Sequence, residues 1–261
     1  MNNIVSNYNQ ILEFSRQYNI PMEKRRGIIR EFLQSKFITT LYSLSKSEKM
    51  SFIGGTSLRL LRGINRFSED LDFDNLGLTD GEVSALVEEV VRRFGVEGIN
   101  VEVHSSVKEY KKYFDLRFPD LLKELEITSN PREKLMIKID YAEFWKGQKN
   151  EVILFNKYGF VANVMTNPIN QLIVQKLAAY LQRKQTQPRD IYDVVWLFSQ
   201  GAKPDLEFAH ANNLDNLIGK ASEKLKVEGV PESFYHKLEP FLFSPEDTQK
   251  MKLFKKIVSS L

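Results

Sequence analysis

An α+β fold is predicted: a small mixed sheet flanked by helices, followed by a helical C-terminal domain. Three observations point to it. Residues 69–75 and 135–141 alternate apolar and polar side chains with the period of two that belongs to strands. Residues 1–50 place their apolar positions at helical spacing instead. After Asn167-Pro168 the helical pattern takes over, which divides the chain into a domain of residues 1–166 and a second of residues 167–261, with no flexible linker between them.

Composition narrows the class before any motif is read. The 261 residues are 42% hydrophobic and 27% charged, the balance of an ordinary globular protein with chain enough for a sizeable core. The absence of cysteine excludes disulfides and thiolate zinc sites and is compatible with a reducing cytoplasm. Met1-Asn2-Asn3-Ile4 does not read as a signal peptide, and no stretch approaches the roughly 18 apolar residues of a membrane helix. A net charge of +3 permits an anionic partner without requiring one.

In chain order, Ile4, Tyr8, Ile11, Leu12 and Phe14 mark one amphipathic helix, and Ile28, Ile29, Phe32, Leu33, Phe37 and Leu41 a longer one. Lys24-Arg25-Arg26, with Arg30 and Lys36, is either a solvated basic face or a contact to a nucleic-acid backbone. Residues 51–54 form the first strand, 56–63 a short helix and 69–75 the second strand, paired with the first. Thr79-Asp80-Gly81-Glu82 is a capping box that opens a helix to about Phe94. Ile99–His104 alternates as a third strand, residues 107–116 pair with it, and Leu135–Tyr141 is a further strand. Two short strands surround Lys157-Tyr158-Gly159. Gln171–Arg183 is a helix, and Pro188 opens the next one. Three or four helices fill residues 204–261, the last capped at Ser244-Pro245.

The chemistry gathers around Phe52-Ile53-Gly54-Gly55-Thr56-Ser57-Leu58 and Arg66-Phe67-Ser68-Glu69-Asp70-Leu71-Asp72-Phe73-Asp74. On a strand, Leu71 and Phe73 face a core while Asp70, Asp72 and Asp74 share the other face. Carboxylates that close repel one another and are tolerated mainly around a divalent cation. The glycine pair lets backbone N–H groups approach a phosphate at the start of a helix. A phosphate cradle beside a carboxylate metal site is the equipment of nucleotidyl transfer. Asp140 sits on the opposite face of its strand from Leu135, Ile137, Ile139 and Tyr141, where it is either a third acidic group or a surface partner of Lys138. Asp74 competes with it for that place. Lys176 and Arg183 are two turns apart on one helix face. A lysine in so apolar a helix needs a triphosphate or a carboxylate as partner.

Gly54-Gly55-Thr56-Ser57-Leu58 together with Arg66–Phe73 resembles the AbiEii/AbiGii toxin family of the DNA polymerase β-like nucleotidyltransferase superfamily. The Lys176…Arg183…Arg189-Asp190-x-x-Asp193 arrangement resembles that family's second motif block. The resemblance implies a polymerase β-like sheet and a nucleotide held in a cleft that the C-terminal domain completes. It implies Mg²⁺, or Mn²⁺, on Asp70, Asp72 and Asp140, with Asp140 also helping to activate the acceptor hydroxyl. Gly54, Gly55, Thr56, Ser57, Arg66, Ser68, Lys176, Arg183 and Arg189 would bind the NTP, with Lys176 and Asp190 required for activity. Whether Thr56 or Ser57 touches the phosphate stays open. The same resemblance implies a cytoplasmic toxin of a toxin–antitoxin or abortive-infection pair, transferring NMP to an RNA acceptor such as the 3′ end of tRNA, with a cognate antitoxin protein as partner and no membrane association. The rival readings are protein nucleotidylation, a nucleotide-sugar glycosyltransferase using Asp70-Leu71-Asp72, and a catalytically silent RNA- or partner-binding module.

Overall fold

A computed structural model describes residues 3–108, 111–130 and 132–261. The connection at residues 109–110, within the expected second hairpin strand, lies outside the described residues, as does Met1-Asn2 of the N-terminal reading. The chain forms two compact units. The first holds Met1–Gly63, Phe67–Phe144 and Val152–Thr166; the second holds Ile64–Arg66, Trp145–Glu151 and Asn167–Leu261. The second unit takes its main body from Asn167 onward and adds two short pieces from earlier in the chain.

The first unit begins with α1 (Asn3–Ser6), α2 (Tyr8–Gln17) and α3 (Arg25–Leu41). Then come β1 (Met50–Ile53), α4 (Gly54–Arg62) and β2 (Asp70–Asn75). They are followed by α5 (Asp80–Val96), β3 (Glu102–Lys108), β4 (Lys111–Phe118), α6 (Leu121–Glu124) and β5 (Leu135–Ala142). Among the described residues the sheet has the order β1-β2-β5-β4-β3, with β2 and β5 parallel and the other neighbours antiparallel. A separate hairpin, β6 (Glu151–Lys157) and β7 (Phe160–Thr166), is tied to β1 where the Thr166 hydroxyl donates to the Phe52 carbonyl at 2.6 Å.

The alternation expected in β2 and β5 holds. Leu71, Phe73, Ile137 and Ile139 are buried, whereas Asp70, Asp72, Lys138 and Asp140 are half-buried on the other face. The capping box at Thr79 is formed in full. The third strand starts three residues later than expected, at Glu102, because Gly98 takes φ 74° to end α5 and the Ile99 N–H returns to the Phe94 carbonyl. A buried apolar residue after a helix stop thus mimicked the start of a strand.

Three of the basic residues of α3 are paired with carboxylates, while Arg25 is exposed. Arg30 pairs with Glu69 at 2.5 Å, Lys36 with Glu97 at 2.6 Å, and Arg26 with Glu133. On the same helix, buried Glu31 accepts from Arg59 of α4 at 2.8 and 3.1 Å and from the Tyr158 hydroxyl at 3.2 Å. This network fixes α4, which carries the glycine motif, against α3. Beside it Lys157 donates to the Arg59 carbonyl at 3.1 Å, and burial together with the Arg59 charge pushes its pKa down to about 8. A folded-state pKa below that of an unfolded lysine means that the unfolded chain binds the extra proton between about pH 8 and 10.5. Stability should therefore rise over that window, and Lys157→Met should flatten the rise in chemical-denaturation measurements made across it.

The second unit contains α7 (Ile169–Gln182), α8 (Pro188–Ser199, with Pro188 in its first turn), α9 (Leu206–Ala211), α10 (Leu217–Glu228), α11 (Glu232–Leu238) and α12 (Phe254–Val258). Ser244-Pro245 opens a 3₁₀ segment, Pro245–Leu253, rather than the last α-helix, and the Ser244 hydroxyl turns to the Glu246 carboxylate instead of capping the backbone. Trp145 packs on Phe208 with ring centroids 5.3 Å apart. No helix among the described residues is long and apolar enough to cross a membrane.

Candidate active site

In the first unit the acidic residues come together through strand register. Asp72 lies opposite Ile53 of β1 on one side and Asp140 of β5 on the other, and Asp70 lies opposite Lys138. Directly paired residues share a face, so Asp70, Asp72 and Asp140 occupy one side of two adjacent strands, β2 and β5.

Gly54 decides how close the helix can come to that face. It ends β1 with φ 78°, a left-handed conformation that glycine adopts without a steric cost. A β-carbon there would stand 2.7 Å from the Asp72 Cγ and run into the carboxylate. The Asp72 side chain therefore lies against bare backbone at the start of α4, the end of a helix that favours negative charge. Gly54→Ala should displace the Asp72 carboxylate and strain the backbone by about 1–3 kcal/mol. The expected result is a loss of activity larger than the fall in melting temperature explains.

The hydroxyls beside it serve the fold. Buried Thr56 donates to the Asp70 carbonyl, and buried Ser57 donates to the Gly54 carbonyl at 3.0 Å. Both expected phosphate ligands are thus engaged within the motif, Thr56 by bracing β2 directly. Ser68 is half-buried, and its carbonyl and that of Glu69 accept from Gln34 at 3.1 and 2.9 Å, which fixes the approach to Asp70.

Asp140 faces Lys138 with its two oxygens 2.7 and 3.1 Å from the ammonium. Burial opposes the Lys138 charge, but Asp140, with Asp70 and Asp115 beyond it, raises its pKa above the ordinary lysine value. Among the described residues no three acidic or histidine side chains are already gathered as a metal cage. The donor set still fits a hard divalent cation. Asp70 and Asp72 offer carboxylate oxygens on one face, and the bare Gly54 backbone lets the Asp72 carboxylate lie close to the start of α4. Asp140 would join them by giving up Lys138. Asp74 is buried on β2 and accepts the Phe144 N–H at 3.1 Å, as befits a strand-end residue.

The second unit holds its own charged network. Asp193 is fully buried and accepts from Arg66 twice, both at 2.6 Å, while Lys176 approaches its Oδ2 to 2.8 Å. Burial works against the Asp193 charge, but the Arg66 guanidinium and the Lys176 ammonium overcome it and hold its pKa below the usual aspartate range. Arg66, expected at the nucleotide, is instead 2% exposed and committed to this pair. Lys176 finds the carboxylate partner its burial demands. Asp190 is also buried, with Arg183 Nε 3.0 Å from its Oδ2, and burial raises its pKa against the pull of Lys176 and Arg183. Arg189 is half-buried next to it.

A profile of the AbiEii nucleotidyltransferase toxins of type IV toxin–antitoxin systems matches residues 38–256. The chain belongs to this family. As a member of the AbiEii family it is a nucleotidyltransferase of the toxin–antitoxin type, which implies a nucleotide substrate and an antitoxin counterpart. Two solved Helicobacter pylori structures share the fold. JHP933 superposes with a TM-score of 0.53 at 19% identity, covering 90% of this chain and 92% of that one. A candidate nucleotidyltransferase gives 0.55 at 19% identity, covering 90% and 95%. A search of curated proteins returns no match.

Sequence reading missed what joins these residues. Asp193 serves two cations at once, and Gly54 makes room for Asp72. Each depends on strand register or helix contact that spacing along the chain does not encode. The apolar residues around Lys176 were the one available signal for a buried carboxylate partner.

Proposed function

We propose that this AbiEii-family enzyme transfers a nucleoside monophosphate from an NTP to an RNA, with the 3′ end of tRNA as the leading acceptor, and that it acts in the cytoplasm as a toxin restrained by a cognate antitoxin. The observation that carries the proposal is the pair Asp70 and Asp72 on one face of β2, with the Gly54 backbone turned aside for Asp72. Asp70 and Asp72 are the ligands for Mg²⁺ or Mn²⁺, and Asp140 completes the set when it leaves Lys138. Such a cation, when bound, neutralises phosphate charge and aligns the attacking and leaving oxygens.

The acceptor hydroxyl oxygen forms a bond to the α-phosphorus, and the bond from that phosphorus to the β-phosphate oxygen breaks, so pyrophosphate leaves with the electron pair. Asp140 takes the hydroxyl proton. The backbone N–H groups at Gly55, Thr56 and Ser57 are the phosphate donors in this scheme, since both hydroxyls are already in use within the motif. Lys176 is assigned to the triphosphate, with Arg183 and Arg189 in support and Asp190 as the acid that orients Arg183. Ser68 is a further candidate nucleotide contact.

The test is incubation with Mg²⁺, each α-labelled NTP in turn and total cellular RNA, with the Asp70→Ala/Asp72→Ala double variant as control. Label in a discrete RNA band, absent from the control, is the expected result and names the nucleotide. Label on the protein itself would instead indicate protein nucleotidylation. Turnover of a nucleotide sugar without NTP incorporation would favour a glycosyltransferase. RNA binding without any transfer would leave a silent module.

A further inference from the structure

The sheet face that carries Asp70, Asp72 and Asp140 extends past them. Asp140 pairs in register with Tyr113 of β4, and Tyr113 with Ser106 of β3. Alongside runs a second row, Asp70, Lys138, Asp115 and His104. Both rows lie on one face of the sheet, by the rule that directly paired residues project together. In β3 the residues Val103 to Val107 are all exposed, and Tyr113 is half-buried.

Tyr113 stands out on this face. The other aromatic residues of β4, Phe114 and Phe118, are turned into the core at 6% and 1% exposure, as a strand with one buried face requires. Tyr113 is on the polar face, beside Asp140, and its ring centroid lies 4.5 Å from the Lys138 ammonium. That ammonium in turn is 2.7 Å from Asp140 Oδ1. A partly open aromatic ring, backed by a cation and adjoining the proposed proton acceptor, is the equipment for stacking a nucleobase.

The ring's position also separates two nucleotides. The glycine motif borders Asp72 from the β1 side, whereas Tyr113 borders Asp140 from the β4 side. A base resting on Tyr113 therefore reaches the carboxylates from the side away from the phosphate donors. We infer that Tyr113 is the stacking platform for the terminal base of a single-stranded RNA acceptor, holding that nucleotide's hydroxyl next to Asp140. The inference rests on the nucleotidyl-transfer reading above and adds the acceptor's place on the sheet.

The probe is a short single-stranded oligoribonucleotide with 2-aminopurine at its 3′ end, titrated into the full-length protein without NTP. Stacking on Tyr113 should quench its fluorescence. Tyr113→Ala and Tyr113→Leu should weaken binding roughly tenfold or more and abolish the quenching, while Tyr113→Phe retains both. Tyr113→Leu keeps the bulk that covers Lys138, so its melting temperature guards against a folding artefact. In the RNA-labelling assay these variants should raise the KM for acceptor RNA and leave that for NTP unchanged. Equal probe binding by wild type and Tyr113→Leu, no quenching by wild type, or a rise confined to the KM for NTP would overturn the inference. Failure of wild type to label any RNA, with the probe result intact, would count against the transfer reading instead.

Discussion

Replacing Asp70 and Asp72 together by alanine should lower nucleotide incorporation into RNA by at least about a thousandfold while leaving the fold intact. Both side chains are half-buried on the polar face of β2 and fill no part of the core, which lies on the Leu71 and Phe73 side. Substitutions at such positions usually change stability by about 0.5 kcal/mol or less. Removing two neighbouring like charges can even stabilise slightly. The activity loss is of another order, because charge stabilisation by a bound metal contributes several kcal/mol, and each 1.36 kcal/mol is about tenfold in rate. Asp140, a single carboxylate on the neighbouring strand β5, cannot by itself replace the two that are removed. Melting curves that overlay, with label lost from RNA, are the expected combination. Incorporation within tenfold of wild type would remove Asp70 and Asp72 from the metal site.

The second large effect is expected at Asp193, and it is one of stability. Asp193→Ala strands two cations, Arg66 at 2% exposure and Lys176, after removal of the carboxylate that met both. Breaking a buried pair by deleting one partner costs about 3–5 kcal/mol. For a chain of this size that is roughly a 10 °C fall in melting temperature. Arg66→Ala should produce a comparable fall by leaving the Asp193 charge half-compensated. The double variant Arg66→Met/Asp193→Leu should recover much of it, because apolar side chains of similar volume often replace a buried pair at little cost. A melting temperature within about 2 °C of wild type for both single variants would show that the pair is not structural. A role for Lys176 at the triphosphate adds a separate signature: Asp193→Ala would raise the KM for NTP in the fraction that remains folded.

Much of this protein could be read directly from its residues. The alternation in 70–74 and 135–141 names two strands and the face of each acid, because side-chain direction in a strand depends only on parity. The capping box at Thr79 and the proline at the start of α8 work through neighbouring backbone, so they too are local signals. The glycine–hydroxyl–acid motif is likewise contiguous enough to point to the AbiEii family before any coordinates. What residues do once charges meet is another matter. Arg66 stands four positions before Asp70 in the chain, yet it belongs to the second unit and is spent on Asp193, 127 positions away. Lys24-Arg25-Arg26 looked like a cluster, yet Arg26, Arg30 and Lys36 each find a separate carboxylate. An ion pair is made by whichever opposite charge the fold brings within reach, and no periodicity records it. Sequence alone therefore determined the strands, the acidic face and the family, through interactions that are local or parity-bound. Only the tertiary structure decided which acids are met by cations, which hydroxyls are used internally, and which aromatic ring stands beside Asp140.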